Sequence, residues 1–246
     1  TLPNGLTFNS STGTISGTYN GNLTKNSRAQ SPNGLADPTG AVVTTIQLFA
    51  HNSHGTSCTT LTFLIPGLVG NVSTRLPIGK DDNALIEGFI VQGPAGSTKK
   101  IMVRAIGPSL AAFGITDAVA NPTLDIFDAN NAKIASNNDW KATQVGGIIT
   151  SDQFAEINAS GLAPTNDLES AIIANLTPGS YTGVVRGAGN TVGTGVVDAY
   201  DLSAASPARL PNIATRGLIQ PGETLILAGF IGRTGTVKTL GAGLGP

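Results

Sequence analysis

The sequence has little of what builds disulfides, aromatic binding faces and charged interfaces. Its 246 residues include 1 cysteine, 1 tryptophan and 2 histidines, with 5% aromatic residues, 12% charged residues and a net charge of −1. The single cysteine, Cys58, excludes an internal disulfide. A basic run that could displace counterions from phosphates is also missing, so nucleic acid is not an expected partner. So weak a net charge gives little colloidal repulsion, which a protein meant to associate can tolerate.

Catalytic and membrane-spanning patterns are missing as well. The sequence has no GxSxG elbow, no HExxH pair and no phosphate-binding glycine loop. His51 and His54 share one predicted hairpin turn and lack further partners for a zinc site, so both are interpreted as turn residues. No run of about 18 apolar residues predicts a transmembrane helix, and no signal peptide opens the chain. We expect no enzyme and, because Thr1 is not an initiator methionine, a chain that begins inside a longer precursor.

Two weaker combinations of residues stay open at this point. Glu156 with Asp167 or Glu169 has the residue types of a glycosidase pair, although any chain with 15 acidic residues offers such pairs. Trp140 with Tyr181 could stack on a sugar, although a lone tryptophan in a β-sandwich is more often a core residue.

A long internal repeat is the dominant feature of what is present. Residues 71–90 return without a gap at 212–231, at one offset of 141 residues (212 − 71). The identical pairs are Asn71 with Asn212, Thr74 with Thr215, Arg75 with Arg216, Ile78 with Ile219, Gly88 with Gly229, Phe89 with Phe230 and Ile90 with Ile231. Repeats of this length are whole domains in a row, and such arrays usually build length and reach. The sequence therefore predicts assembly more clearly than chemistry, with one complete unit and a partial one.

Residues 1–66 carry the pattern of a small β-domain. Residues 2–8 and 9–18 predict two short strands around an Asn/Gly turn, and 41–48 with 58–65 predict a hairpin around the turn 51–55. The runs LPNGL at 2–6 and TGTISGT at 12–18 resemble the immunoglobulin-like domains of bacterial surface proteins, whose hallmark is an LPxGL strand followed by TGxISGT. That resemblance implies a β-sandwich that lacks its first strands. Pro66-Gly67 is the predicted linker to the next domain.

Residues 67–209 predict a second sandwich. Short strand-like runs are separated by glycine, asparagine or proline at the spacing of an antiparallel sandwich. They lie at 84–91, 100–106, 123–127, 132–135, 170–176, 180–186 and 195–202. Only 109–113 and 151–159 predict helices, both short. The predicted fold class is all-β, with two tandem antiparallel β-sandwiches, immunoglobulin-like and then jelly-roll-like, and a partial repeat at 210–246.

Several motifs of the second sandwich carry a further resemblance. They are VRAIGPSL at 103–110, NPTLDIFD at 121–128, ASNNDW at 135–140, DLESA at 167–171 and PGSYT at 178–182. Together they resemble the tandem modules of very large secreted proteins of environmental bacteria, and more loosely the bacterial pre-peptidase C-terminal domain. Both resemblances imply an extracellular or cell-surface module with an accessory or structural role.

One group of acidic and amide residues is a candidate calcium site. Asp125, Asp128, Asn130 and Asp139 supply the oxygen ligands that Ca²⁺ prefers. Their spacing does not match an EF-hand loop. The favoured alternative is that these side chains cap the turns between the strands predicted at 123–127 and 132–135. Calcium is the only cofactor that the sequence leaves open.

The repeated strands predict how the chain assembles. Leu85, Ile86, Phe89 and Ile90 form an apolar run that we expect to be largely buried, and we expect the same of Leu225, Ile226, Phe230 and Ile231. The expected assembly residues lie on strands predicted at 223–231 and 236–240: Leu225, Ile226, Leu227, Phe230, Ile231, Val237 and Leu240. Open sheet edges accept strands from other chains. We therefore expect residues 212–246 to complete a β-structure in a second copy, with the truncated domain at 1–66 as acceptor.

Three functional classes follow from these features. The first is a structural subunit of an extracellular or cell-surface filament, whose partners are copies of itself. The alternative is an adhesin or a carbohydrate-binding or ligand-binding module of a multi-repeat surface protein, which would contact cell-surface glycans. The third is an accessory domain of an enzyme.

Overall fold

The computed structural model describes residues 6–9, 14–17, 42–52, 55–65, 68–218, 227–234 and 242. Strands dominate these residues, and the predicted all-β class is confirmed. The chain divides into two compact units, of which one is Gly70–Ile231 and the other combines Thr1–Val69 with Gly232–Pro246. Among the helices of the described ranges, none has the length and apolar character needed to cross a membrane.

The N-terminal unit contains two antiparallel hairpins. Strand β1 (Leu6–Asn9) pairs with β2 (Thr14–Gly17), and β3 (Val42–Asn52) pairs with β4 (Gly55–Ile65). The second hairpin is longer than predicted, because His51 pairs with Thr56 inside the ladder. The placement of His51 in a turn is therefore wrong, because the ladder continues as far as the pair Asn52 with Gly55. His54 and the linker Pro66-Gly67 lie outside the described residues.

Ten strands of the described ranges lie wholly or mainly in the larger unit. They are β5 (Leu68–Ile78), β6 (Leu85–Gln92), β7 (Lys99–Ile106), β8 (Pro122–Phe127), β9 (Lys133–Asn137), β10 (Ser170–Leu176), β11 (Gly179–Gly187), β12 (Gly193–Asp201), β13 (Arg209–Arg216) and β14 (Leu227–Thr234). The seven strands predicted between 84 and 202 are all present. The two predicted helices are short, a 3₁₀ helix at Pro108–Phe113 and α1 (Phe154–Ala159). A second 3₁₀ turn covers Ala188–Asn190.

These strands form two five-stranded antiparallel sheets. One has the order β10-β7-β12-β5-β14 and the other the order β13-β6-β11-β8-β9. Strands that follow each other in the chain therefore often lie in different sheets, as β5 and β6 do. The apolar side chains of both sheets meet in one core, which includes Leu76, Leu85, Phe89, Val103, Leu124, Ile172, Val185 and Val197.

Strand β6 shows which side chains of a strand enter this core. Its side chains alternate, so that Leu85, Phe89 and Val91 are buried while Ile86 is half-buried and Ile90 is 37% exposed. The expectation that the whole run is buried is wrong for Ile90. Successive side chains of a strand point to opposite faces, and only one face of this sheet lies on the core.

A second, smaller core covers the outer face of the sheet that contains β7 and β10. Met102, Ile157, Ala171 and Ile173 pack there around Trp140, whose ring stacks on Phe154 with centroids 5.5 Å apart. Trp140 is buried, as expected for a lone tryptophan in such a fold. Tyr181 instead packs on the first core and stacks on Phe89 at 5.7 Å. The two aromatic residues therefore form no common platform.

Candidate strand-pairing site

The two copies of the repeat meet through their strands. Strands β5 and β13 carry the first half of the repeated stretch, and β6 and β14 carry the second half. In the sheets, β13 pairs with β6 and β14 lies beside β5. Each first strand therefore lies next to the second strand of the other copy. The pairing within the chain is therefore reciprocal.

Equivalent contacts recur on both sides of this junction. Ala214 pairs with Gly88 in the β13–β6 ladder, and a Cβ added to Gly88 would lie 3.6 Å from the Ala214 carbonyl oxygen. Across the other pair, a Cβ added to Gly229 would lie 3.4 Å from Ser73 Oγ. Residues 229 and 73 are the counterparts of 88 and 214 at the offset of 141 (229 − 88 and 214 − 73). The two strand pairs are thus related by a local two-fold symmetry.

One side-chain contact lies on that symmetry axis. Thr74 Oγ1 and Thr215 Oγ1 are 2.7 Å apart and share a hydrogen bond. These residues are each other's counterparts in the repeat (215 − 74 = 141). In an isologous, two-fold arrangement the residues nearest the axis contact their own counterparts. The pair Thr74–Thr215 therefore marks the centre of the junction.

Burial differs sharply between the two copies. Phe89 on β6 is 2% exposed, whereas its counterpart Phe230 on β14 is 55% exposed. Ile231 and Leu227 are exposed as well, at 56% and 45%. The expectation that Phe230 and Ile231 are buried is wrong, because β14 is the outermost strand of its sheet among the described strands. Leu225, Ile226, Val237 and Leu240 lie outside the described residues.

Strand β13 is anchored at its beginning and exposed beyond it. Ala208 and Leu210 are 0% and 5% exposed and belong to the first core. The register with β6 then shifts between Arg209 and Asn212, which leaves Leu210 and Pro211 as a bulge. Most side chains after the bulge are exposed, and Ile213 packs only partly against the core. Proline has no N–H to donate and is found on edge strands and at bulges.

A buried carboxyl group lies beside the junction. Glu87 on β6 faces Thr215 in the register and is 0% exposed, and neither of its carboxyl oxygens has a hydrogen-bond partner. Burial, with the nearby charge of Asp198 as a smaller cause, raises the pKa of Glu87 well above its ordinary value. Such an environment favours the neutral acid.

Two other buried carboxyl groups, those of Asp198 and Asp201, are paired with cations. Arg104 donates to both carboxylate oxygens of Asp198, at 2.9 and 2.6 Å, and its guanidinium also lies 4.7 Å from the ring centre of Tyr200. Lys99 forms a second buried pair with Asp201 at 2.6 Å. Burial raises the pKa of Asp198, although the hydrogen bond and charge of Arg104 lower it. These pairs join the neighbouring strands β7 and β12.

The candidate glycosidase carboxylates are engaged in structural contacts. Glu169 is buried and accepts hydrogen bonds from the Gly107 and Ser109 backbones at 3.0 and 2.9 Å, which holds the start of the 3₁₀ helix. Glu156 pairs with Lys100 at the surface, and Asp167 pairs with Lys141 at 2.7 Å. Glu169 also accepts a hydrogen bond from the Ser109 hydroxyl at 2.5 Å.

The candidate calcium ligands do not converge. Asp128 accepts hydrogen bonds at 2.9 Å from the backbones of Asn130 and Ala132, and these bonds, the one from Ala132 first, lower its pKa. Asp125 accepts from Ser136 at 2.7 Å. Asp128 thus caps the turn between β8 and β9. Within the described part of the chain, no three His, Cys, Asp or Glu residues form a group that could hold a metal ion. Asp139, whose Oδ1 is buried without a partner, is part of no such group.

The chain was also compared with models of known protein families, with curated proteins and with solved structures, and none of the three comparisons gives a match.

Proposed function

We propose that the protein is a structural subunit of an extracellular or cell-surface filament in which β-strands of one copy complete the sheets of another. The observation that carries this proposal is the reciprocal pairing of the repeated strands. Two copies of one sequence unit recognise each other through backbone ladders on both sheets. Because a ladder is made by main-chain groups, the same edges can pair with any chain that supplies the same strands.

Three further features support an assembly role. The net charge is −1, which offers little electrostatic opposition to association. Strand β14, the outermost of the described strands in its sheet, exposes Leu227, Phe230 and Ile231. The secreted and surface modules that the sequence resembles, an immunoglobulin-like sandwich followed by a jelly-roll-like sandwich of the pre-peptidase C-terminal type, commonly occur in extended arrays. A catalytic role is not part of this proposal.

The alternative role of a carbohydrate-binding adhesin is less well supported. Trp140 is buried beneath Phe154 and is separate from Tyr181, so the one tryptophan of the chain offers no ring face to a sugar.

Electron microscopy of the native material, together with light scattering of the purified chain, tests the filament proposal. We expect filaments with a regular axial repeat and a mass that grows with protein concentration. A monodisperse monomer at every concentration and ionic strength would exclude a filament subunit.

A further inference from the structure

We propose that the acceptor in this assembly is the pair of edges formed by β5 and β6 in a second copy of the chain. Strands β13 and β14 of one copy would dock on β6 and β5 of the next, in the register seen within one chain. This inference rests on the proposed function and names the partner surface for it. It replaces the acceptor predicted from the sequence, the truncated domain at 1–66.

The two acceptor strands, β5 and β6, already contribute side chains to the buried core. Leu76 on β5 and Phe89 on β6 are buried among side chains from β7, β8, β10, β11 and β12. The donor strands add mainly exposed side chains after Leu210, such as Asn212, Phe230 and Ile231. The body of the sandwich therefore keeps its apolar centre while the donor strands change partner. What the donor supplies is the ladder and the hydrogen bond between Thr215 and Thr74.

A hinge for the exchange lies at the bulge of β13. Ala208 and Leu210 hold the strand in its own core, and the register shift follows immediately at Pro211. A change of direction at this bulge would separate residues 212 onward from their own β6 without moving Leu210. Bulges bend a strand and interrupt its ladder, so a turn of the chain here breaks few contacts.

The contacts themselves do not distinguish one chain from two. Every pair across the junction, including Gly88 with Ala214 and Thr74 with Thr215, can form equally between copies. Exchange of identical elements between protomers is a low-cost route to oligomers, and a head-to-tail exchange that does not close gives a fibre. Concentration then decides between the closed monomer and the open filament, because only the filament gains from mass action.

Cysteine pairs across the axis test this inference. We would prepare two single variants in a Cys58→Ser background, Thr74→Cys and Thr215→Cys, mix them under assembly conditions and oxidise the mixture. Exchange between chains predicts covalent dimers that contain one copy of each variant, found in the filament fraction by intact mass. The double variant, with both cysteines in one chain, should give a ladder of covalent multimers in filaments and an internally closed monomer in dilute solution.

A second cysteine pair at the same junction covers the case in which replacement of either threonine prevents folding. Ser73→Cys with Gly229→Cys spans the other strand pair, and should give the same pattern. If filaments form but the mixed variants do not cross-link while the double variants close within one chain, the acceptor lies elsewhere and only this inference fails. If the double variants close within one chain and no filament forms at any concentration, the proposed function fails with it.

Discussion

Among single residues, Glu87 has the environment that departs furthest from what its chemistry prefers. A carboxyl group without any hydrogen-bond partner in the interior costs free energy even when neutral, and far more when ionised. Its place beside Thr215 at the junction makes it a polar group at the contact between the two repeats. Protonation is the way in which the fold tolerates it.

The pH dependence of stability follows from this carboxyl group. Its pKa is raised on folding from the ordinary value of 4.5, so in the window between 4.5 and the folded pKa only the folded state keeps the proton. The free energy of unfolding should therefore fall as pH rises through that window, by about 1.4 kcal/mol per pH unit. Burial also raises the pKa of Asp198, so this group too makes the free energy of unfolding fall as pH rises. Glu87→Gln should reduce the slope and raise stability at neutral pH.

Chemical denaturation at a series of pH values measures both effects. Glu156→Gln is the matched control, because Glu156 is a partly exposed carboxylate and should change stability by less than about 0.5 kcal/mol. An unchanged pH slope in the Glu87 variant would show that this side chain reaches solvent or a partner.

The buried pair Arg104–Asp198 leads to a prediction of the opposite kind. Replacing Arg104 with alanine leaves the buried carboxylate of Asp198 without its cation, which should cost about 3–5 kcal/mol of unfolding free energy. Lys141→Ala, which removes the cation of the exposed pair with Asp167, should cost less than about 1 kcal/mol. Denaturant titrations compare the two, and equal costs would mean that Asp198 is not effectively buried.

At the scale of elements, β6 and β14 share a sequence and differ in their surroundings. Both contain the run Gly-Phe-Ile, yet Phe89 lies in the core and Phe230 lies on the outermost of the described strands in its sheet. The burial of a strand is thus set by what covers it and not by its own composition. Hydrophobic pattern predicts that a strand forms, and the sheet decides which of its faces is buried.

This pair of phenylalanines gives an internal control. Phe89→Ala should lower the free energy of unfolding by about 3–5 kcal/mol. Phe230→Ala, at the equivalent position, should lower it by less than about 1 kcal/mol, because the side chain is already half in solvent. Urea unfolding of both variants decides the matter. Similar losses for the two would mean that β14 is covered to the same degree as β6.

The elements that the sequence predicted are those with continuous apolar or β-branched runs. The strands at Lys99–Ile106 and Ser170–Leu176 are of this kind. Strands β5 and β13 were not among the predicted runs, since Pro77 and Pro211 lie within them and polar residues such as asparagine, threonine and arginine leave no continuous apolar run. The repeat was the sequence feature that linked these two strands, because two stretches with matching residues are expected to form the same structure. The partner of each strand was not predictable, since pairing joins residues more than a hundred positions apart.

At the scale of the whole molecule, the repeat acts through symmetry. Through this junction, each sheet contains strands from both copies of the repeat as hydrogen-bonded neighbours. Residues such as Thr74 are unremarkable alone and become informative only as members of a two-fold pair. Arg104 lies in the motif at 103–110 and Glu87 lies in the repeated stretch, yet neither pattern pairs Arg104 with Asp198 or marks Glu87 as a buried acid.

Removal of the donor strands is the most direct test at this scale. A chain that ends at Pro211 keeps Ala208 and Leu210 in the core, so it should fold as a soluble protein. It should form no filaments, because it supplies no strand to a neighbour. The edges of β5 and β6 would then be open, and open edges accept strands.

A peptide of residues 212–234 should restore what this deletion removes. It should bind the shortened protein at one site, since it carries both donor strands, and raise the midpoint of thermal unfolding in a saturable way. The matched control is the same peptide with Ala214→Pro, which cannot maintain the β13 ladder opposite Gly88. Calorimetric titration and thermal unfolding measure both peptides. Filaments of the shortened chain, or equal binding of the proline peptide, would show that assembly does not use these strands.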